Sequence, residues 1–491
     1  MNFQSSDGRL FDPLDRKRIQ QGHSPSFINT IFVQNHFNPL LRGYSLGATL
    51  AREFPFAIDG MSRRERCAGA IVMNSTRAST PGFAGVLVLV SAITSAAGST
   101  AQAQWTCISL HPSGEVSSQA NGGSGGQQIG SVQVGPTVGH YRASLWNGSA
   151  GAWVNLHPPG TVYSLGYGAE GNHQVGEVYT DGLPRAALWT GTAASWVNLH
   201  PPGPSNSSAL AIGGNQQVGR TYAGGYNAAL WSGSAASYVN LNPPPNPSTG
   251  YAHSSEAFGV NGGQQVGYVI ADGGIRSASL WSGSAASWVN LHPPGSNSSI
   301  ALGIGGGQQV GRISPSPSSP DHASLWRGSA ASWVDLHPAN STNSTASAAA
   351  GGMQVGYADV GGRRRASLWT GTAASWVDLS AFRPAGIGTC QANAIWIAGG
   401  VTYVAGRGFN SIEFRDEALL WSQKAPCKGD LNGDGFVDDS DFLFFVVAYN
   451  VLDCTDPAMP AGCPSDLNGD SFVDDADFSV FVVAYNALIC P

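Results

Sequence analysis

Residues 279–295 read SLWSGSAASWVNLHPPG, and versions of this phrase recur through the middle of the 491-residue chain. Its Leu-Trp pair returns seven times, with the tryptophans at Trp146, Trp189, Trp231, Trp281, Trp326, Trp369 and Trp421. Successive tryptophans are 43, 42, 50, 45, 43 and 52 residues apart. Internal periods of this size indicate a propeller or a solenoid. The sequence therefore predicts an array of seven structural units.

Each unit contains four short apolar stretches that are separated by Gly, Pro, Ser and Asn. In the third unit they are ALAIGG at 209–214, QQVGRT at 216–221, AALW at 228–231 and SYVNL at 237–241. Short strands at near-regular spacing predict an all-β fold. The GSAA or GTAA that follows Leu-Trp predicts a tight connection, so the third and fourth strands should be neighbours in one sheet.

The two ends of the array complement each other. Residues 105–114 read WTCISLHPSG, which copies the fourth-strand phrase WVNLHPPG with no third strand before it. The array finishes with ALLW at 418–421, a third strand with no WVNL after it. The first strand can therefore complete the seventh unit, which suits a closed ring better than a linear solenoid with polar caps. We predict a mainly β fold, a seven-bladed β-propeller of four-stranded blades, in which 105–110 pairs with 418–421.

Three residue types recur once in most units. We expect the tryptophans to pack between blades, with an exposed ring of sugar-stacking tryptophans as the alternative. The histidines of the LHP phrase are predicted to be turn residues rather than metal ligands, since no carboxylate recurs beside them. The glutamines before Val-Gly or Ile-Gly are predicted to satisfy backbone groups near the channel. These are His111, His157, His200, His292 and His337, with Asn242 in place of one histidine, and Gln128, Gln174, Gln217, Gln265, Gln309 and Gln354.

Over about 105–422 the units resemble the HAF-type extracellular repeats of bacterial exported proteins, through the phrase A-x-G-I…Q-V-G…LW. The resemblance implies export and no particular activity. The thirteen carboxylates of this region fall at no repeated site and form no catalytic motif. We therefore predict a non-catalytic binding or scaffold protein with a polysaccharide or protein ligand. The alternatives are a polysaccharide-acting hydrolase or lyase and a structural surface-layer component.

The chain ends in two acidic twelve-residue loops, DLNGDGFVDDSD at 430–441 and DLNGDSFVDDAD at 466–477. Oxygen ligands at loop positions 1, 3, 5, 7, 9 and 12 are what a large hard cation requires, and position 7 offers its backbone carbonyl. We predict two bound calcium ions. Their ligands would be Asp430, Asn432, Asp434, Phe436, Asp438 and Asp441 in the first loop, and Asp466, Asn468, Asp470, Phe472, Asp474 and Asp477 in the second.

Residues 427–490 resemble type I dockerins, whose duplicated loop–helix modules bind calcium and dock onto cohesins. The resemblance implies a small α-helical attachment domain, associated with polysaccharide-degrading complexes, and a cohesin-like or other surface protein as partner. The helices at 442–450 and 478–486 lack the basic residues that are common in cohesin-binding dockerins. Position 6, where the backbone normally needs Gly, is Gly435 in the first loop and Ser471 in the second. We expect the first loop to bind calcium more tightly.

Residues 73–103 are predicted to be a secretory signal, with Arg77, an apolar run over 84–97 and an Ala-Gln-Ala cleavage site. The mature protein would then start near Gln104 and be secreted or held at the cell surface. The apolar run is too short to span a bilayer well, and we expect no transmembrane helix in the mature chain. Residues 1–72 are a leader of doubtful status, interpreted either as a gene-start artefact or as a disordered leader. The remaining predicted domains are the propeller at 104–426 and the acidic tail at 427–491, whose charge argues against a nucleic-acid partner.

Signal cleavage would remove Cys67 and leave six cysteines, an even number that implies disulfides in an exported protein. The four cysteines of the tail allow three pairings, and a pseudo-twofold arrangement favours Cys427–Cys490 with Cys454–Cys463. Cys107 and Cys390 both belong to the blade that closes the ring, which makes them candidates for a third bridge.

Overall fold

The computed structural model of this chain describes residues 105–135, 139–245, 254–270, 274–424, 428–432 and 436–487. Within these ranges, 28 strands form seven four-stranded antiparallel sheets, and two α-helices follow them. The predicted seven-bladed β-propeller is confirmed. The predicted leader and signal peptide lie outside the described residues, as do Cys427, Asp434, Gly435 and Cys490.

Strand β1 (Thr106–Ser109) comes first, and six blades of four consecutive strands follow it. Blades one to three consist of β2 Ser117–Ser124, β3 Gln127–Gln133, β4 Tyr141–Trp146 and β5 Val154–Asn155; β6 Tyr163–Glu170, β7 His173–Thr180, β8 Leu183–Trp189 and β9 Val197–Asn198; and β10 Asn206–Gly213, β11 Gln216–Tyr222, β12 Tyr226–Trp231 and β13 Val239–Asn240. Blades four to six consist of β14 Ser254–Asn261, β15 Gln264–Ile270, β16 Arg276–Trp281 and β17 Val289–Asn290; β18 Ser298–Gly305, β19 Gln308–Ser314, β20 His322–Trp326 and β21 Val334–Asp335; and β22 Ser341–Ala350, β23 Met353–Val360, β24 Arg363–Trp369 and β25 Val377–Asp378.

The seventh, closing blade joins the two ends of the array. Its strands are β26 Ile387–Ala398, β27 Val401–Asn410 and β28 Arg415–Lys424, and β1 adds to β28 as the fourth strand. Cys107 lies opposite Trp421 in this antiparallel pair, and Leu110 N donates to Ala418 O at 2.8 Å. The predicted pairing of 105–110 with 418–421 is confirmed, and closure leaves no open blade edge where the ends meet.

The first strands of neighbouring blades contact one another all around the ring, so they line its centre. Each of them carries a β-bulge, for example between Ala301 and Gly303. The backbones approach so closely here that a Cβ on Gly303 would lie 2.4 Å from the carbonyl oxygen of Ser347 in the next blade. Glycine is needed at this position because the neighbouring backbone occupies the space of a side chain.

The seven tryptophans of the Leu-Trp pairs are fully buried. Trp281 packs against Val218, Leu230 and Leu241 of the preceding blade. Packing between blades is therefore confirmed for these residues, and the alternative of a sugar-stacking ring is wrong because none of the seven rings reaches solvent.

The recurring glutamines hold two turns of the same blade together. Gln265 Nε2 donates to Gly263 O at 2.8 Å, and Gln265 Oε1 accepts from Gly283 N at 2.7 Å. The glutamines thus satisfy backbone groups, as predicted. The closing blade has Val404 at the equivalent position, opposite Trp421. No tight third-to-fourth-strand turn follows Trp421, so a glutamine there would have no such turn amide to bind.

The histidines do more than form a turn, because they join one blade to the next. His292 Nε2 lies 3.2 Å from Ser296 O and must donate to it. His292 Nδ1 is then the acceptor for the hydroxyl of Ser299 at 2.8 Å, and Ser299 Oγ in turn accepts from Ala278 N of the preceding blade. We call this arrangement the His–Ser bridge. Burial lowers the pKa of His292, which favours the neutral ring that the bridge requires.

The tail contains helices α1 (Asp439–Tyr449) and α2 (Asp475–Ala487). Its buried core includes Val437 and Phe445, together with Val473 and Phe481, which lie 36 residues later. Tyr449 Oη donates to Asp475 Oδ1 at 2.6 Å, and the equivalent Tyr485 donates to Asp439. These reciprocal contacts give the two loop–helix modules a pseudo-twofold relation.

Candidate functional site

The second acidic loop brings three carboxylates together. Asp466, Asp470 and Asp477 each place one oxygen within 4.8 Å of the others. Asp477, at position 12, is completely buried. Its Oδ1 accepts from Leu467 N at 2.7 Å and Asn468 N at 2.9 Å, and its Oδ2 accepts from Asp474 N at 3.0 Å. The start of the loop is therefore fastened to the start of α2 by one buried carboxylate.

The turn of this loop wraps around Asp466 at position 1. Asp466 Oδ1 accepts from Gly469 N at 2.7 Å, and Oδ2 accepts from Ser471 N at 2.9 Å. Ser471 has a φ of 74°. This is the left-handed conformation expected at position 6, which residues other than glycine adopt at a cost. The predicted ligand Asp474 caps α2 through Ala476 N at 2.8 Å and lies outside the cluster of three.

The first loop has the same cradle at position 12. Asp441 is completely buried, its Oδ1 accepts from Leu431 N at 2.7 Å and Asn432 N at 3.0 Å, and its Oδ2 accepts from Asp438 N at 3.0 Å. Asp438 also caps α1 through Ser440 N at 2.8 Å. Asp430 and Phe436 lie among the described residues, whereas Asp434 at position 5 does not.

The donor set of the two loops fits a calcium ion. The side-chain ligands are all carboxylate or amide oxygens, which are the donors that hard cations prefer. Three carboxylates within 4.8 Å repel one another in the absence of a positive charge. The backbone amides that face Asp466 and Asp477 hold these carboxylates in place without supplying a full positive charge.

A disulfide joins Cys454 to Cys463, which is one of the two tail bridges favoured from the sequence. It connects the segment after α1 to the entry of the second loop. Cys427 and Cys490, the other predicted pair, lie outside the described residues.

The candidate bridge between Cys107 and Cys390 is not formed in this structure, where both residues are free thiols. Cys107 lies on β1 and Cys390 on β26, at opposite edges of the closing blade with two strands between them. Burial raises the pKa of both thiols.

The sequence analysis missed a cluster of charged and phenolic groups on blades two to four. Arg220 Nη1 lies 2.7 Å from Glu256 Oε2, and Tyr268 Oη donates to Glu256 Oε1 at 2.5 Å. Tyr167 Oη donates to Glu177 Oε1 at 3.2 Å. Burial raises the pKa of Glu177 and of Tyr268.

One signal could have found three of these residues, Glu177, Arg220 and Tyr268. The position directly after Val-Gly, Ile-Gly or Ala-Gly on each second strand changes from blade to blade, although the flanking residues are nearly constant. We call this set the variable ring: Ser131, Glu177, Arg220, Tyr268, Arg312, Tyr357 and Arg407. It lies toward the end of the blade that carries the hairpin between the second and third strands, which we call the upper face.

Comparison with known proteins finds structural likenesses at low sequence identity. No protein-family model matches the sequence, and no curated protein is significantly similar to it. Among solved structures, the β-propeller domain of the Trilobed protease from Pyrococcus furiosus is 9% identical, with a TM-score of 0.43, over 62% of this chain and 95% of that chain. An acylaminoacyl peptidase from Pyrococcus horikoshii is 9% identical, with a TM-score of 0.39, over 62% of this chain and 52% of that chain.

A puromycin hydrolase is 8% identical, with a TM-score of 0.37, over 62% of this chain and 54% of that chain. This chain thus spans about half the length of the last two proteins. Likenesses at these TM-scores carry no argument about either the fold or the activity of this chain. Within the described residues, neither helix has the length and apolar character needed to cross a membrane.

Proposed function

We propose that this protein is an exported, non-catalytic β-propeller binding or scaffold protein that is attached to a surface or an extracellular complex through a calcium-dependent, dockerin-like tail. The observation that carries the proposal is the matched pair of buried position-12 carboxylates, Asp441 and Asp477, each held by three backbone amides. Two equivalent cradles in loops of calcium-binding composition are difficult to explain as solvated acidic turns.

In this proposal the chain's own residues link each loop to the helix that follows it. Asp441 and Asp477 connect the first turn of their loop to the N-terminus of α1 or α2. Calcium, when bound, would supply the positive charge that offsets repulsion among the loop carboxylates. Because the two modules share one core and exchange the Tyr449–Asp475 and Tyr485–Asp439 contacts, ordering one loop should favour ordering the other.

The exposed apolar side chains of the two helices favour binding to another protein. Leu443, Phe444 and Val447 on α1 and Val483 on α2 are 68%, 51%, 57% and 74% exposed. Neighbouring exposed apolar side chains on a small domain are typical of an interaction surface. A cohesin-like or other surface protein is the proposed partner. The Cys454–Cys463 disulfide is consistent with the oxidising conditions outside the cell.

Calcium titration of the full chain tests the attachment role. We expect calorimetry to detect two binding events and circular dichroism to detect a gain in tail helix on calcium addition. Asp477→Asn should abolish the second event, because it removes a charge from the cluster of three carboxylates. Asp456→Asn is the matched control, since Asp456 is an exposed aspartate of the tail outside both loops. Absence of calcium binding in the unmodified chain would overturn the proposal.

A polysaccharide-cleaving enzyme is the second candidate, and the contact between Tyr268 and Glu256 favours it. A phenol that is hydrogen-bonded to a carboxylate, with an arginine nearby, can act as a nucleophile with the carboxylate as its base. Both side chains are nearly buried, at 5% and 6% exposed, which argues for a structural role. Reducing-end assays on a polysaccharide panel, with Glu256→Gln as the comparison, distinguish the two. Cleavage that the variant loses would favour the enzyme.

A further inference from the structure

Two cavities open between blades at the upper face of the propeller. The first has a volume of about 550 Å³ and lies between blades four and five. The second has a volume of about 230 Å³ and lies between blades six and seven. Both are lined by residues that face each other across a gap between neighbouring sheets.

The two cavities are equivalent under the repeat of the propeller. In each, the third strand of the earlier blade contributes an arginine, the second strand of the later blade contributes another, and an aspartate lies at or directly before the third strand of the later blade. These residues are Arg276, Arg312 and Asp321 in the first cavity, and Arg364, Arg407 and Asp416 in the second. The strand registers establish the correspondence of the arginines, and Asp321 and Asp416 each lie five residues before the Leu-Trp tryptophan of their blade. Among the described residues, no other gap between blades combines two arginines and an aspartate at these positions.

The pairing of the charges differs between the cavities. In the second cavity, Arg364 Nε lies 3.2 Å from Asp359 Oδ1, and Arg407 lies 3.6 Å from Asp416. Each arginine there has its own carboxylate, so the charges balance.

In the first cavity, Arg312 Nη1 lies 2.9 Å from Asp321 Oδ2. The position that Asp359 holds in the second cavity is Ile270 here, opposite Arg276 in the sheet. Arg276 consequently has no carboxylate partner among the described residues, and its guanidinium lies over the ring of Tyr268, 5.4 Å from the centroid. The described lining of this cavity carries one excess positive charge.

The walls of the first cavity combine two kinds of surface. Ile270, Ile275 and Ile300 offer apolar contact, and Asn297, Ser298 and Ser314 offer amide and hydroxyl groups. A volume of about 550 Å³ is within the range of small-ligand sites. A ligand that matches this lining has one negative charge, several hydroxyls and an apolar ring face.

We propose that the gap between blades four and five binds a uronic-acid residue of an acidic polysaccharide, and that Arg276 receives its carboxylate. The planar guanidinium can donate two parallel hydrogen bonds to a carboxylate, which a paired arginine such as Arg364 cannot offer as freely. This inference rests on the binding role proposed for the propeller and adds the class of ligand.

Calorimetry of the full chain with a tetragalacturonate tests the proposal, with a neutral maltotetraose as the comparison ligand. Chelator is present throughout, so that neither the tail loops nor the ligand carries calcium. We expect binding of the uronate only, weakened at least tenfold by Arg276→Gln and unchanged by Arg364→Gln, the equivalent substitution in the charge-balanced cavity. Asp272→Asn changes a carboxylate that lies four residues before Arg276 in the sequence and outside the described residues, and it should cause no loss.

A gain-of-affinity variant separates recognition from folding. Asp321→Asn frees Arg312 from its ion pair, so it should tighten uronate binding several-fold, which a merely structural role of Arg276 does not predict. Equal binding of maltotetraose, equal losses in Arg276→Gln and Arg364→Gln, or binding of a peptide carboxylate in place of the uronate would overturn the proposal. Because calcium is absent from this experiment, its failure is distinguishable from failure of the calcium-dependent attachment.

Discussion

The closing blade and the second acidic loop each depart from the repeat to which they belong. The closing blade has one hydrogen bond that the other described blades lack. In the closing blade, Val404 replaces the recurring glutamine, and Trp421 Nε1 donates to Leu379 O at 2.9 Å. The six equivalent indole N–H groups have no hydrogen-bond partner among the described residues. In the second loop, Ser471 replaces glycine and retains the left-handed backbone, with a φ of 74°. Loss of ring closure should lower the stability of the whole propeller, whereas the backbone conformation of Ser471 should affect only its own loop.

Removing the closing strand β1 should have the largest effect on stability. Deletion of residues 104–110 removes Trp105 and Leu110, which are buried. The loss of two such side chains costs roughly 5–10 kcal/mol, which approaches the total stability of a typical domain. We expect the deleted protein to lose its cooperative thermal transition. A peptide of residues 104–112 added in trans should restore part of it and a scrambled peptide should not. An unchanged transition in the deleted protein would show that the ring does not depend on closure.

Matched substitutions of two tryptophans, one in blade four and one in the closing blade, should show how much the extra hydrogen bond of the closing blade contributes to stability. Trp281→Ala and Trp421→Ala should each lower the free energy of unfolding by about 3–5 kcal/mol, because each leaves a large cavity between blades. Trp421→Ala should cost about 1 kcal/mol more, since Leu379 O loses its donor. Denaturant titration of both variants measures the difference. Equal losses would mean that the extra hydrogen bond contributes nothing to closure.

The His–Ser bridges should make the propeller sensitive to acid. Burial lowers the pKa of His292, so the unfolded chain binds the proton more readily than the folded one. Stability is therefore fully present above the ordinary histidine pKa and is lost as the pH falls through the lowered folded value. His292→Ala should cost about 1–3 kcal/mol at neutral pH, because the Ser299 hydroxyl loses its acceptor.

Asn242 provides the control for this prediction. Its Oδ1 accepts the Ser255 hydroxyl at 2.7 Å, as His292 Nδ1 accepts that of Ser299 at 2.8 Å. His292→Asn should therefore keep most of the stability at neutral pH and lose less of it on acidification. Thermal melts at several pH values test this. If His292→Asn were as acid-sensitive as the unmodified protein, protonation of His292 would not be the cause of the acid sensitivity.

Exchanging the position-6 residues should give the smallest effect. Ser471→Gly relieves a left-handed backbone that costs a non-glycine residue on the order of 1 kcal/mol, so it should tighten calcium binding at the second loop about fivefold. Gly435→Ser is the reciprocal control and should weaken the first loop by a similar factor. Calorimetry that finds two equal sites in the unmodified chain, and no gain in Ser471→Gly, would contradict the comparison.

The sequence by itself determined the number of blades and the closure of the ring, and it placed the oxygen-bearing side chains of the two acidic loops. These features are local or periodic: the Leu-Trp spacing counts the units, and the unmatched phrases at 105–114 and 418–421 show which strand is missing. The burial of the seven tryptophans follows from the same repetition, because a residue that recurs in every blade meets the same neighbour in each gap.

Only the tertiary structure decided which residues from different blades meet. It separated Cys107 from Cys390 by two intervening strands, although both belong to one blade. It brought Arg276, Arg312 and Asp321 to one cavity and left Arg276 without a described carboxylate partner. The physical reason is that contacts across a gap depend on the register of each sheet and on the close approach of neighbouring blades. The spacing of residues within a single repeat determines neither the register of a sheet nor the distance between neighbouring blades.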